Sequence, residues 1–149
     1  MPHFTLSISN QGPTLIALIG VSSARSAALT AAGQQIPGNV QITALVDTGA
    51  SNTCIDPSVL QRLVLTPTGR TSVNTPSTGN TAVEVDQYDV SLIIPPATVH
   101  QIPLFVHTLP VICSELVASQ GFHALIGRDI LAQCVLFYNG SAGTFTLAF

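Results

Sequence analysis

The chain has 149 residues, 46% of them hydrophobic and only 7% charged, where an average globular domain has roughly a quarter of its residues charged. That length and composition predict one domain over 1–149, with a real core and apolar surface left over for a subunit interface. A net charge of −3, from four Arg, no Lys and seven acids, excludes the dense basic surface that phosphate backbones need, so no nucleic acid is expected as a partner.

The first residues, "MPHFTLSISNQGP", carry no basic region ahead of a long apolar stretch, so no secretory leader is predicted and the chain is expected in the cytoplasm. "HFTLSIS" alternates from Phe4 to Ile8, "NQGP" is a turn signal, and "TLIALIG" is a short run of branched residues. Together they predict a β-hairpin over residues 3–20. Apolar runs such as "TLIALIG" and "VSLII" stop far short of the ~18 residues that cross a bilayer as a helix, so no membrane partner is expected. Residues 21–39 are small and polar and end in Pro37 and Gly38, which predicts a surface loop with a helical turn near "SAALTAA". The strand, glycine and helix layout of "LIALIGVSSARSAALTA" lacks both GxGxxG and GxxxxGK[ST], so a nucleotide site is set aside.

"VQITALV" predicts a strand that runs into Asp47. In "DPSVLQRLVL", Asp56 is placed to cap a short helix with Pro57 at its first position. Residues 70–94 hold two strand-like segments around "TPSTGN" and predict a long hairpin. "TVHQIPLFVHTL" reads as a strand pair or one bent strand, "ALIGRDILAQC" as a buried strand, a glycine and a short helix, and "VLFYNGSAGTFTLAF" as two strands around a turn. Cys54, Cys113 and Cys134 are odd in number and widely spaced. They predict reduced, mostly buried thiols, with neither a disulfide framework nor a zinc site.

The stretch that carries chemistry is "ITALVDTGASNT", residues 42–53. An acid at the end of an apolar strand has lost solvent on one side, which makes ionisation harder. The residues that follow suit a crowded site: Thr48 can donate and accept, Gly49 lets another backbone approach, and Ala50 adds little bulk. On the turn alone the plain reading is a β-turn whose carboxylate bonds to local N–H groups.

"LVDTGAS" followed some eighty residues later by "ALIGRD" resembles the single-domain aspartic proteases of the retropepsin type. The order from about residue 40 onward agrees: the Asp-Thr-Gly turn, a flap-like hairpin at 70–94, an apolar pair with Gly at 125–127, a helix, and a terminal β segment. The resemblance implies an all-β fold, a closed or partly open β-barrel of the acid-protease half-domain type with one short C-terminal helix, completed as a homodimer. It implies that the catalytic residue is Asp47, paired with the same residue of a second chain. Thr48, Gly49 and Ala50 would support the site, Thr48 by reaching across the interface and Gly49 by presenting its backbone to substrate. Thr75, Pro76, Ser77, Thr78, Gly79 and Asn80 would form the flap tip over an extended peptide. Val73, Val83, Ile94 and Leu125 would contribute apolar pockets. Gly127, Arg128 and Asp129 form the second structural motif. Retroviral enzymes place an acid where this chain has Ser51, so Arg128 is expected to use Asp56 or a backbone carbonyl instead.

Asp129 reads as a helix N-terminal acid and not a second catalytic group. "GSAG" at 140–143 lacks the GxSxG spacing of a nucleophile elbow. His3, His100, His107 and His123 lack regular ligand spacing, so no metal and no cofactor are expected. Two functions follow: a homodimeric aspartic endopeptidase acting on extended peptides, or a non-catalytic relative that uses the same groove to bind peptides or assemble. The intact Asp-Thr-Gly favours the first, because a binder has no need of a buried acid pair.

Overall fold

Alternation of apolar and polar residues sets the architecture, and β3 (Val40–Val46) shows how. Val40, Ile42, Ala44 and Val46 are buried, while Gln41 is exposed and Thr43 and Leu45 are half-buried, the period of two that a strand on a barrel wall requires. The computed structural model describes residues 1–74, 79, 81–115 and 118–149. Besides β3, the described strands are β1 (His3–Ser7), β2 (Thr14–Val21), β4 (Cys54–Ile55), β5 (Gly69–Val73), β6 (Val83–Ile94), β7 (Leu104–Cys113), β8 (Ala124–Ile126), β9 (Val135–Asn139) and β10 (Thr144–Ala148). The described α-helices are α1 (Ser23–Ala31), α2 (Pro57–Arg62) and α3 (Arg128–Leu131), with a 3-10 turn at Ala118–Gln120.

The main sheet runs β2-β3-β8-β4-β7-β6-β5, and β2 also pairs with β6 from Leu18↔Ile93 to Val21↔Val90. Six strands therefore close into a barrel, which removes their free edges. β5 stays outside the ring as the second arm of a hairpin on β6. Ile19, Ile42, Ile55, Leu92 and Ile126 fill the interior with at most 2% exposure, each contributing about 1.5–3 kcal/mol by leaving water. A second sheet, β1-β10-β9, closes over one side and places Phe4, Phe145 and Leu147 in the same core. The expected half-domain barrel is present, with α3 as its short C-terminal helix and with α1 and α2 in addition.

Two local expectations change. β1 and β2 do not form a hairpin: beyond the Ser9↔Gly12 bridge they diverge, β1 to β10 and β2 to β3 and β6. On β10 Phe4 packs edge-on to Phe145 and Phe149, aromatic contacts that join β1 to the C-terminal strand. Residues 23–31 form a complete helix instead of a loop with one turn. Only Leu29 of α1 is buried, so no apolar stripe announced it. Its alanines and the Ser22 cap, which accepts from the Arg25 N–H at 3.3 Å, supply the helical preference. α2 begins as expected, with Asp56 accepting from the Ser58 N–H at 2.9 Å and Pro57 in the first turn.

Candidate active site

β3 and β8 run parallel, Ala44↔Ala124 through Val46↔Ile126, so their C-terminal ends emerge together. Asp47 leaves β3 at that point, its N–H donating to the Ile126 carbonyl at 3.0 Å. The chain then reverses, with the Ala50 N–H donating to the Asp47 carbonyl at 3.3 Å. The half-buried Asp47 carboxylate accepts through Oδ1 from the Gly49 N–H at 2.8 Å and the Ala50 N–H at 3.3 Å. A Cβ on Gly49 would lie 3.1 Å from that oxygen, so glycine keeps the approach open. These bonds hold the carboxyl in one orientation while Thr48 and Gly49 remain exposed. Among the described residues the Thr48 hydroxyl has no hydrogen-bond partner.

Local bonding of this kind occurs in many Asx turns. The bracing from α3, some eighty residues away, distinguishes this one. Arg128 donates through Nη1 to the carbonyls of Thr48 (2.9 Å) and Gly49 (3.2 Å) and through Nη2 to the Ser51 hydroxyl (2.7 Å). Its backbone N–H donates to the Ala50 carbonyl at 2.9 Å. Arg128 thus uses backbone carbonyls and the Ser51 side chain, and the alternative partner Asp56 serves as the α2 cap.

Asp129 completes the brace. Its Oδ2 accepts from the Thr53 N–H and its Oδ1 from the Thr53 hydroxyl, both at 2.8 Å, and Oδ1 also accepts from the Ile130 N–H at 2.9 Å. The Thr53 hydroxyl in turn accepts from the Gly127 N–H at 3.2 Å. Asp129 is therefore a helix N-terminal acid and also the anchor of the strand that leaves the turn. Gly127 is sterically required: a Cβ there would sit 2.6 Å from the Asn52 carbonyl carbon.

Cys54 lies beside this network. Burial, then the carboxylates of Asp129 and Asp47, push its thiol pKa up to about 11, so it stays protonated at neutral pH and is no nucleophile.

The structure brings Asp47, Thr48, Gly49 and Ala50 into one turn and sets Gly127, Arg128 and Asp129 against it. Of the flap tip, Thr75, Pro76, Ser77, Thr78 and Asn80 lie outside the described residues, and Gly79 is exposed with φ +60°. Leu125 and Val73 are half-buried and Val83 is exposed, but Ile94 is fully buried in the core and cannot line a groove. Thr53, fully buried and doubly bonded to Asp129, was not singled out from the sequence. A threonine two positions beyond Ser51 carries no local signal of a partner 76 residues away.

The family model described as "gag-polyprotein putative aspartyl protease" matches residues 32–133. The chain belongs to this family. The matched span of this retropepsin-like aspartyl protease contains both Asp47 and the α3 brace. Its fold is similar to the crystal structure of a retropepsin-like aspartic protease from Rickettsia conorii, with a TM-score of 0.59 and 13% identity over 99% of this chain and 90% of that one. At that identity the likeness concerns the fold. No curated protein matches the sequence.

Proposed function

We propose that residues 1–149 form one aspartic endopeptidase domain that hydrolyses peptide bonds of extended polypeptides with a water activated between Asp47 and the Asp47 of a second, identical chain. The observation that carries this reading is the braced turn. One acid is held by two N–H groups at the open end of two parallel strands, and its loop is tied down by Arg128 and Asp129. A single carboxylate cannot be acid and base at once; two facing each other share a proton and divide the roles.

In this mechanism the ionised member takes a proton from the water as it attacks the scissile carbonyl. The protonated member donates its proton to the carbonyl oxygen; the member that took the water proton then passes it to the departing amine, while the other recovers its proton from the diol as the C–N bond breaks. No covalent intermediate forms. The exposed Thr48 hydroxyl, without a partner among the described residues of its own chain, meets the facing turn and stiffens both. The β5–β6 hairpin is the flap, which closes on substrate backbone by strand addition.

The test is a peptide-library digest by wild type and Asp47→Asn across pH. Wild type should cleave with a bell-shaped pH profile, because activity needs one protonated and one ionised carboxyl. Asp47→Asn should lose nearly all turnover while keeping its fold, and a statine-type transition-state mimic should inhibit the wild type. Robust cleavage by purified Asp47→Asn, or full inhibition by a chelator, would overturn the assignment. A correctly folded wild type that binds peptides and cleaves none would favour the non-catalytic role.

A further inference from the structure

At the end of β3 away from Asp47, roughly 20 Å distant at ~3.3 Å per residue, α1 lies over the barrel wall and leaves a groove of about 650 Å³ against β2, β6 and β7. Small-molecule sites span about 300–1,000 Å³. The groove floor departs from ordinary sheet packing. Gly20 is paired with Ser91 inside the β2–β6 ladder. A Cβ at position 20 would come within 2.7 Å of the Ser91 hydroxyl and closer still to the Asn39 side-chain oxygen. Glycine inside a strand often marks a point where another group approaches the backbone.

Ser91 is only 6% exposed, yet among the described residues neither its hydroxyl nor the Asn39 amide has a hydrogen-bond partner. Asn39 is exposed and the Ser91 hydroxyl keeps contact with solvent in the groove, so a group entering there would take the place of water on both. Ile36 and Phe105 stay 42% and 45% exposed along the same groove, beside Ile93. No lining side chain carries a charge. The α1 wall precedes the residues that match the family, so the groove is not built from the matched span alone.

We propose that this groove binds an uncharged amphiphilic small molecule, its apolar body against Ile36, Ile93 and Phe105 and a carboxamide-type head exchanging hydrogen bonds with Ser91 and Asn39. The neutral lining sets the ligand class. An ionised head would lose its hydration with no counter-charge in return, whereas an amide offers the donor and acceptor that a hydroxyl and an amide can both answer. The inference does not depend on the proteolytic reading, since the groove and the Asp47 turn share no residue.

The test is an NMR titration of the full chain with 3-phenylpropanamide, using 3-phenylpropanoate and 3-phenylpropylammonium as ionised probes of similar size. The amide should give saturable shifts confined to residues around Gly20, Ile36, Ser91 and Phe105, and both ions should bind at least tenfold more weakly. Ser91→Ala, which removes the hydroxyl without adding bulk, should weaken the amide about fivefold. Phe105→Ala should weaken it to a similar degree with its shifts still centred on Gly20. Scattered or non-saturating shifts, equal affinity for all three heads, or an affinity unchanged by Ser91→Ala would overturn the proposal.

Discussion

Asp129→Ala removes a carboxylate that accepts three hydrogen bonds, two of them from Thr53 and one from the Ile130 N–H. Thr53 is fully buried, so its N–H has no water to turn to, and its hydroxyl keeps only the weaker 3.2 Å contact with Gly127. A buried donor left unsatisfied costs about 1–3 kcal/mol, and the exposed end of α3 loses a few tenths more when its N-terminal acid goes. The expected loss is about 2–4 kcal/mol, read as a lower urea midpoint with an unchanged slope. Asp129→Asn retains one acceptor and should fall between the two. Thr53→Val removes the other partner, and the double mutant should lose roughly 1 kcal/mol or more less than the sum of the single changes, because both remove the same bond. Strictly additive losses, or an Asp129→Ala protein within about 0.5 kcal/mol of wild type, would refute the brace.

Gly127→Ala should be poorly tolerated, since its Cβ would meet the Asn52 backbone at 2.6 Å; a loss of about 3 kcal/mol or more is expected from overpacking against backbone that cannot yield, measurable by thermal melting. Stability should also fall on the alkaline side. Burial raises the thiols of Cys54, Cys113 and Cys134 above the usual 9.0, Cys54 to about 11. The unfolded chain therefore sheds its thiol protons first, so the thiols' contribution to stability is constant below about pH 9 and declines toward pH 11. Urea midpoints across that range test this, and Cys54→Ser should flatten part of the slope. Sedimentation at micromolar concentration should find a dimer in any active preparation; a strictly monomeric protein that still cleaved peptides would remove the shared-acid mechanism.

Elements with a local signal were legible in the sequence. The Asp47 turn, the Asp56–Pro57 helix start, the Gly127 stop and the hairpin arms of β5 and β6 all announce themselves through caps, turns and alternation. α1 leaves little trace in the sequence because a helix that buries only Leu29 shows no apolar stripe. The sequence suggests a β1–β2 hairpin because the turn chemistry at residues 9–12 is real, while the choice of partner belongs to β10, more than 130 residues away. Within the site, Asp47 and Arg128 stood out as motif residues. Thr53 did not, because its importance lies wholly in a contact across the chain.

The spacing of the brace has a consequence for synthesis. Arg128 and Asp129 reach Thr48 and Thr53 across 80 and 76 positions, and β8, the strand beside Asp47, lies just ahead of them in sequence. Contacts so distant along the chain form late, because the intervening segment must first be gathered in. A ribosome that has made the Asp47 turn but not residues 124–131 holds a loop without its scaffold. The Asp47 turn becomes fixed against the barrel only once residues 124–131 have been delivered and folded, so a chain that stops short of them holds its acid in a loop without the brace.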